Sequence, residues 1–142
     1  MVLAGAQSPA VPALEQRIAD AGLEGRIVFA GVRPDMERLM LGSHVLLFPS
    51  VVEGLGMVAV EAQAAGLPVV ASDRVPRECN VARGYAEHVP VDAPVEHWVQ
   101  AVRRRLEAPR LDPDVANDQV AQSPFSLRQS AGALAALYAG RQ

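Results

Sequence analysis

Lysine is missing altogether from this 142-residue chain, and its thirteen cationic side chains are all arginine. That bias most simply reflects a GC-rich coding sequence rather than a function. The net charge of −3 argues against a nucleic-acid or acidic-membrane surface. Cysteine occurs once, as Cys79; no disulfide framework can form within the chain, and a cytosolic setting is favoured. Histidine is scarce, and His44 (in a strand), His88 and His97 lack the close spacing of a metal site, so they read as structural. No apolar run is long enough to span a bilayer, and Met1 to Gly5 lacks the charged start and long core of a signal peptide. No Gly-x-Gly-x-x-Gly follows any apolar run, which disfavours a dinucleotide oxidoreductase. No internal repeat is visible.

Half of the residues are apolar, and at this length the chain can bury about two-thirds of its unfolded surface. Short apolar runs alternate with helical segments, the pattern of a parallel α/β sheet. Five strands are predicted, at Met1–Ala4, Arg26–Ala30, His44–Phe48, Pro68–Ala71 and Ala86–Val89. Helices are predicted at Val11–Ala21, Asp35–Leu41, Gly56–Ala65 and Pro94–Leu106. Trp98 falls in an amphipathic stretch with Val95, Val99, Val102 and Leu106 and reads as core. The Pro- and Asp-rich span from Ala108 to Ser123 predicts a short helix amid loop, before a last helix from Leu127 to Tyr138. The expected organisation is therefore a Rossmann-like domain over 1–107 and a C-terminal helical tail over 108–142 that packs on it or extends from it.

The most informative stretch runs from Pro49 to Val70. Glu53 and Glu61 stand eight positions apart across a Gly-rich loop and a helix start. Gly54 and Gly56 let bare backbone approach a ligand, and a helix N-terminus there would offer free N–H groups to a phosphate. The helix is almost uncharged, because Met57, Val58, Ala59, Val60, Ala62, Ala64 and Ala65 leave only Glu61 and Gln63 polar, so it reads as buried against a sheet. Helical side chains lean toward the N-terminus, which tilts Glu61 back toward the loop that holds Glu53. Two carboxylates in one small volume repel phosphate but accept hydrogen bonds well from ribose or hexose hydroxyls. Gly66, followed by Leu67 and Pro68, predicts an αL C-cap that ends the helix and launches the next strand.

This block resembles the donor-binding half of the retaining GT-B glycosyltransferases of family 4, in particular those that build capsular polysaccharides and exopolysaccharides. The family's order of features is present over roughly residues 1 to 140: a strand and Gly at Met1 to Gly5, a strand ending in Gly at Arg26 to Gly31, an aspartate-led helix at Asp35 to Gly42, then the Pro-Ser and Glu-x7-Glu block. Further on, Ala71 to Glu78 resembles the loop in which such enzymes carry Ser-Asp and a second acid. The preceding βα unit of the family, with its Arg and Lys for the donor diphosphate, has no counterpart, nor has the acceptor-binding domain.

The resemblance implies an α/β fold, half of a GT-B architecture. It implies transfer of a hexose from a nucleoside-diphosphate sugar, UDP- or GDP-linked, with retention, in polysaccharide or glycoconjugate synthesis. Glu53 is the implied catalytic residue. The implied donor-binding set is Ser50, Glu53, Gly54, Leu55, Gly56, Met57 and Glu61, with Arg33 flanking the base; Ser72 is a further candidate, and Arg74 and Arg77 could replace the missing diphosphate partners. Asp73 with Glu78 could suggest a cation site, but GT-B enzymes handle the diphosphate with helix ends and basic groups, so neither metal nor cofactor is predicted. The chain alone should bind donor weakly and transfer little. Its partners would be the nucleotide sugar and an acceptor-domain chain or a second copy, met through Leu127, Leu134, Leu137 and Tyr138 of the last helix. Its place would be the cytoplasm, with the inner membrane face as the alternative.

A truncated, non-catalytic sugar-nucleotide or interaction module is the other reading. A phosphorelay receiver shares a five-stranded order but requires a lysine that this chain lacks. With the first family strand absent, direct pairing of Met1–Ala4 with His44–Phe48 would give the flavodoxin-like order 2-1-3-4-5.

Overall fold

The computed structural model describes residues 1–82 and 84–140. They gather into two compact units, one over residues 1–36 and one over the described residues from 37 onward. The chain runs β1 (Val2–Ala4), α1 (Val11–Asp20), β2 (Val28–Gly31), α2 (Met36–Leu41), β3 (Leu46–Phe48), α3 (Met57–Ala64), β4 (Val69–Ser72), a 3₁₀ turn (Arg77–Cys79), β5 (Ala86–Val89), α4 (Val95–Glu107), α5 (Pro113–Ala121) and α6 (Leu127–Tyr138). Parallel strands joined through helices make it an α/β fold of the Rossmann-like kind.

In the first unit β1 and β2 pair in parallel, Val2 opposite Val28 and Leu3 opposite Phe29, with a register slip before Ala4 meets Gly31. Gly31 has φ of 64°, a left-handed turn that ends β2 without the steric cost a Cβ would bring. The Gly5 N–H closes the pair by donating to Gly31 O at 2.9 Å. Pro12 occupies the first turn of α1, where its missing N–H costs nothing, and Ile18 is the buried residue of that helix.

The second unit holds a parallel ladder, β3-β4-β5. All four residues of the central strand β4 are buried, as expected of a parallel strand covered on both faces. Val70 and Val89 cluster with Ala101 of α4, and Trp98 and Val102 pack against them half-buried. Alternation along β4 then turns Val69 and Ala71 to the opposite face. Helix α3 packs against β3 and β4 and is covered in turn by α5.

Gly66 ends α3 with a Schellman motif, its N–H donating to Gln63 O and that of Leu67 to Ala62 O, both at 2.9 Å. A second constraint acts on the same residue: a Cβ built there would lie 2.4 Å from Leu111 O. The approach of the chain ahead of α5 therefore needs a bare backbone at this point.

Three expectations need correction. Among the described residues the five strands form two ladders, β1-β2 and β3-β4-β5, rather than one sheet in the order 2-1-3-4-5. His44 lies in a bend, and β3 starts two residues later. On α4 the buried stripe is Trp98, Ala101 and Val102, whereas Val95, Val99 and Leu106 are exposed. Ala101 and Trp98 are three apart and share one helix face, and the small side chain of Ala101 lets the helix settle on β4 and β5.

Candidate functional site

The carboxyl end of β3 runs into the loop Pro49–Gly56 and then into α3. Ser50 orders that loop. Its hydroxyl lies 2.8 Å from Glu53 Oε1 and 3.1 Å from Val52 O; a hydroxyl has one proton, and the shorter, charge-assisted bond to the carboxylate takes it. Ser72, at the end of β4, donates its own hydroxyl to Ser50 O and accepts the Arg74 N–H at 3.3 Å. A chain of contacts from β4 through Ser50 thus sets the half-buried carboxylate of Glu53.

Gly56 is buried in the left-handed region at φ of 73°, and a Cβ there would meet Val75 Cγ1 at 2.9 Å. It turns the chain into α3, whose first turn has no side-chain cap. The Ala59 N–H folds back onto Gly56 O at 2.9 Å; the preceding N–H groups are the ones a helix start leaves for an outside acceptor. Ala59, Val60, Ala62 and Gln63 form the buried face of α3. Met57 and Glu61, one turn apart, share its exposed face. Leu55 is also exposed, just ahead of the helix.

The loop after β4 is tied down as well. The Asp73 N–H donates to Val89 O at 2.9 Å, and its carboxylate accepts the Val91 N–H at 3.0 Å. Arg74 leans on Asp73 at 3.8 Å with its side chain mostly in solvent. His88, on β5, carries a buried Nε2 that finds no partner among the described residues. Burial first, and then Arg77, hold its pKa below the usual histidine value, against the pull of Asp73. The Cys79 thiol is pushed up by burial, with Glu78 adding to the shift against a backbone hydrogen bond that opposes it, which leaves it un-ionised and inert. Among the described residues no group of three His, Cys, Asp or Glu could hold a metal ion.

Of the sequence-predicted set, Ser50 and Glu53 are joined directly, Gly54, Leu55 and Gly56 connect them to Met57, and Glu61 follows one turn on. Ser72 is fully buried with its hydroxyl engaged inside the protein. Arg33 belongs to the first unit. Its guanidinium grips Asp35 in a two-pronged pair at 2.8 and 2.7 Å. That hydrogen-bonded pair raises the pKa of Arg33 and lowers that of Asp35.

Gln63 was missed as more than a polar exception. It is fully buried. Its amide nitrogen donates to Ala59 O at 2.8 Å and Cys79 O at 2.7 Å, and its oxygen accepts from Val81 N at 3.1 Å and Ala82 N at 3.0 Å. It anchors α3 to the segment after the 3₁₀ turn. The available signal was its spacing, since residue 63 falls on the same face as Ala59 and Val60.

This fold, with an ordered acid in the loop before an uncapped helix, is that of a GT-B glycosyltransferase domain. Residues 1–108 match the glycosyl transferases group 1 family, and the chain belongs to it. EpsF of Bacillus subtilis (strain 168), described as a glycosyltransferase, is 30% identical over 138 residues, which cover 97% of this chain and 36% of EpsF. The lipopolysaccharide core biosynthesis mannosyltransferase LpsB of Rhizobium meliloti (strain 1021) is 32% identical over 130 residues, 88% of this chain and 37% of that protein. Among solved structures, Anabaena Alr3699/HepE in complex with UDP superposes with a TM-score of 0.79 at 24% identity, over 98% of this chain and 40% of that one. The chain thus spans little more than a third of these relatives. No helix among the described residues is long and apolar enough to cross a membrane.

Proposed function

We propose that this chain is the donor-binding, C-terminal half of a retaining glycosyltransferase that takes a hexose from a nucleoside-diphosphate sugar during polysaccharide or glycoconjugate synthesis. The observation that carries the reading is the Ser50–Glu53 hydrogen bond at 2.8 Å in the loop that opens an uncapped α3. An ordered acceptor and free helix N–H groups lie within a few residues of each other. They are the two chemistries that a sugar diphosphate requires.

In this reading the departing diphosphate gathers negative charge as the sugar ring becomes cationic. The N–H groups of Leu55 to Met57 and the α3 dipole stabilise that leaving group. Glu53 holds sugar hydroxyls beside the reacting carbon, and Glu61, on the exposed face of α3, accepts from the ribose. Ser50 positions Glu53, and Arg33, with its plane fixed by Asp35, flanks the base. Residues 1–107 form the donor domain and 108–142 its tail, with α5 packed on α3. The exposed Leu127, Leu134, Leu137 and Tyr138 of α6 meet an acceptor-binding domain or a second copy. The work is cytoplasmic, at or near the inner membrane face. That HepE has been solved with UDP, and that LpsB is named for mannosyl transfer, support the donor class.

Calorimetry with UDP, GDP and their hexose conjugates tests the reading, with Glu61→Ala as control. Weak donor binding that Glu61→Ala abolishes is expected. Binding indifferent to that change would overturn the assignment.

A further inference from the structure

The first unit holds an open cleft of about 170 Å³ at the carboxyl ends of β1 and β2. Ligands of open parallel sheets gather at that end of the strands. Gly5 and Gly31 line it, both at positive φ, and a Cβ added to either would meet no atom within 4 Å. Phe29 and Val11 supply apolar walls, while Gln7 and Glu15 are its polar groups. Glu15 stands one turn after Val11 on α1, and the lean of helical side chains carries its carboxylate back toward the cleft. The neighbouring polar groups are already engaged: Ser8 Oγ accepts the Ala10 N–H and Gln16 bonds Asp20, which leaves Gln7 and Glu15 free among the described residues.

We propose that this cleft seats a guanine base and that Glu15 selects it. The volume is well under the roughly 300 Å³ at which pockets for whole drug-sized ligands begin, and it suits one flat ring system between apolar walls. An ionised carboxylate accepts only. Guanine presents two adjacent donors, N1–H and the exocyclic amine, which two carboxylate oxygens can take together. Uracil offers one N–H between two carbonyls, so the second carboxylate oxygen would face a like dipole. Adenine places a ring acceptor beside its amine and fails in the same way. The Gln7 amide, with both a donor and an acceptor, can serve guanine O6. The proposal rests on the donor reading above and adds the base, making the donor a GDP-sugar.

The test is a titration of the whole chain with GMP and with UMP, followed by amide NMR shifts of Gly5 and Gly31 and of the Gln7 side chain. GMP should shift these signals with at least about tenfold higher affinity than UMP, the scale of one two-pronged base contact. Glu15→Gln keeps the shape, sits on an exposed helix face, and turns one acceptor into a donor. It should weaken GMP about tenfold and narrow or reverse the preference. Equal affinities, shifts confined to other residues, a preference untouched by Glu15→Gln, or no binding of either nucleotide at millimolar concentration would each overturn the guanine seat. Gln7→Leu gives an independent check, with a smaller loss for GMP expected. Titrating the Glu61→Ala variant with GDP separates the two ideas, because Glu61 is assigned to the ribose and not to the base: GDP affinity indifferent to Glu61→Ala sinks the donor reading alone, and a lost base preference sinks only this one.

Discussion

Gln63→Leu removes the amide that anchors α3 to residues 79–82 while keeping nearly the same volume. The Ala82 N–H has no other hydrogen-bond partner among the described residues and would be orphaned in a buried place, at a cost of about 1–3 kcal/mol. Val81 N and Cys79 O would keep only their mutual 3.1 Å contact, a loss of about 0.5–1.5 kcal/mol each. Ala59 O retains its helical partner. Leucine returns about 1–2 kcal/mol of apolar burial, so the net loss is about 2–3 kcal/mol. Urea denaturation followed by far-ultraviolet circular dichroism should show a lower midpoint at unchanged slope. Gln63→Glu adds a sharper test. An ionised Glu would still accept from Val81 and Ala82 but would set negative oxygen against Ala59 O and Cys79 O, so the fold favours the protonated acid and raises its folded pKa above about 4.3. The variant's stability relative to wild type is then greatest below that value and is lost as pH rises through the folded pKa. A leucine variant within about 0.5 kcal/mol of wild type, or a glutamate variant whose deficit does not change with pH, would refute the anchor.

Gly66→Ala forces a side chain into the left-handed region against Leu111 O and should cost about 2–5 kcal/mol. Gly132→Ala, in mid α6 with no atom near the new Cβ, should gain about 0.5–1 kcal/mol in the same urea denaturation. Ser50→Ala should leave stability within about 1 kcal/mol but release Glu53 and weaken donor binding about fivefold, read by calorimetry; unchanged affinity would remove Ser50 as its positioning group. His88 has a folded pKa below its unfolded value of about 6.5. The stability it contributes is present above that pH and is lost as pH falls toward the folded pKa. His88→Phe should flatten that part of the pH–stability curve, and an unaltered curve would assign it to other groups.

Much of this was legible in order along the chain. Apolar patterning placed β5 and α6 at their observed ends, α5 only as a short helix somewhere in the span from Ala108 to Ser123, and the other strands and helices within one or two residues. The run from Gly56 to Gly66 read correctly as a helix packed on a sheet and ended by a left-handed stop, because a helix with almost no charge has few other places to be. Where local signals were weak, the reading slipped. Val95 and Val99 are as apolar as Trp98 and Val102, and only packing against Val70 and Val89 decides which stripe of α4 is covered. Direct pairing of β1 with β3 rested on strand order alone, which carries no information about which edges bond.

The sequence by itself determined the α/β class, the loop that carries Glu53 ahead of α3, and the glycines whose backbone angles other residues resist, since these follow from local sterics and periodicity. Only the tertiary structure decided that Ser50 holds Glu53, that Ser72 is spent on Ser50 O, that Gln63 binds residues 79–82, and that a cleft opens beside Glu15. Each joins groups brought together by folding, and a hydrogen bond depends on a distance and an angle that no reading along the chain contains.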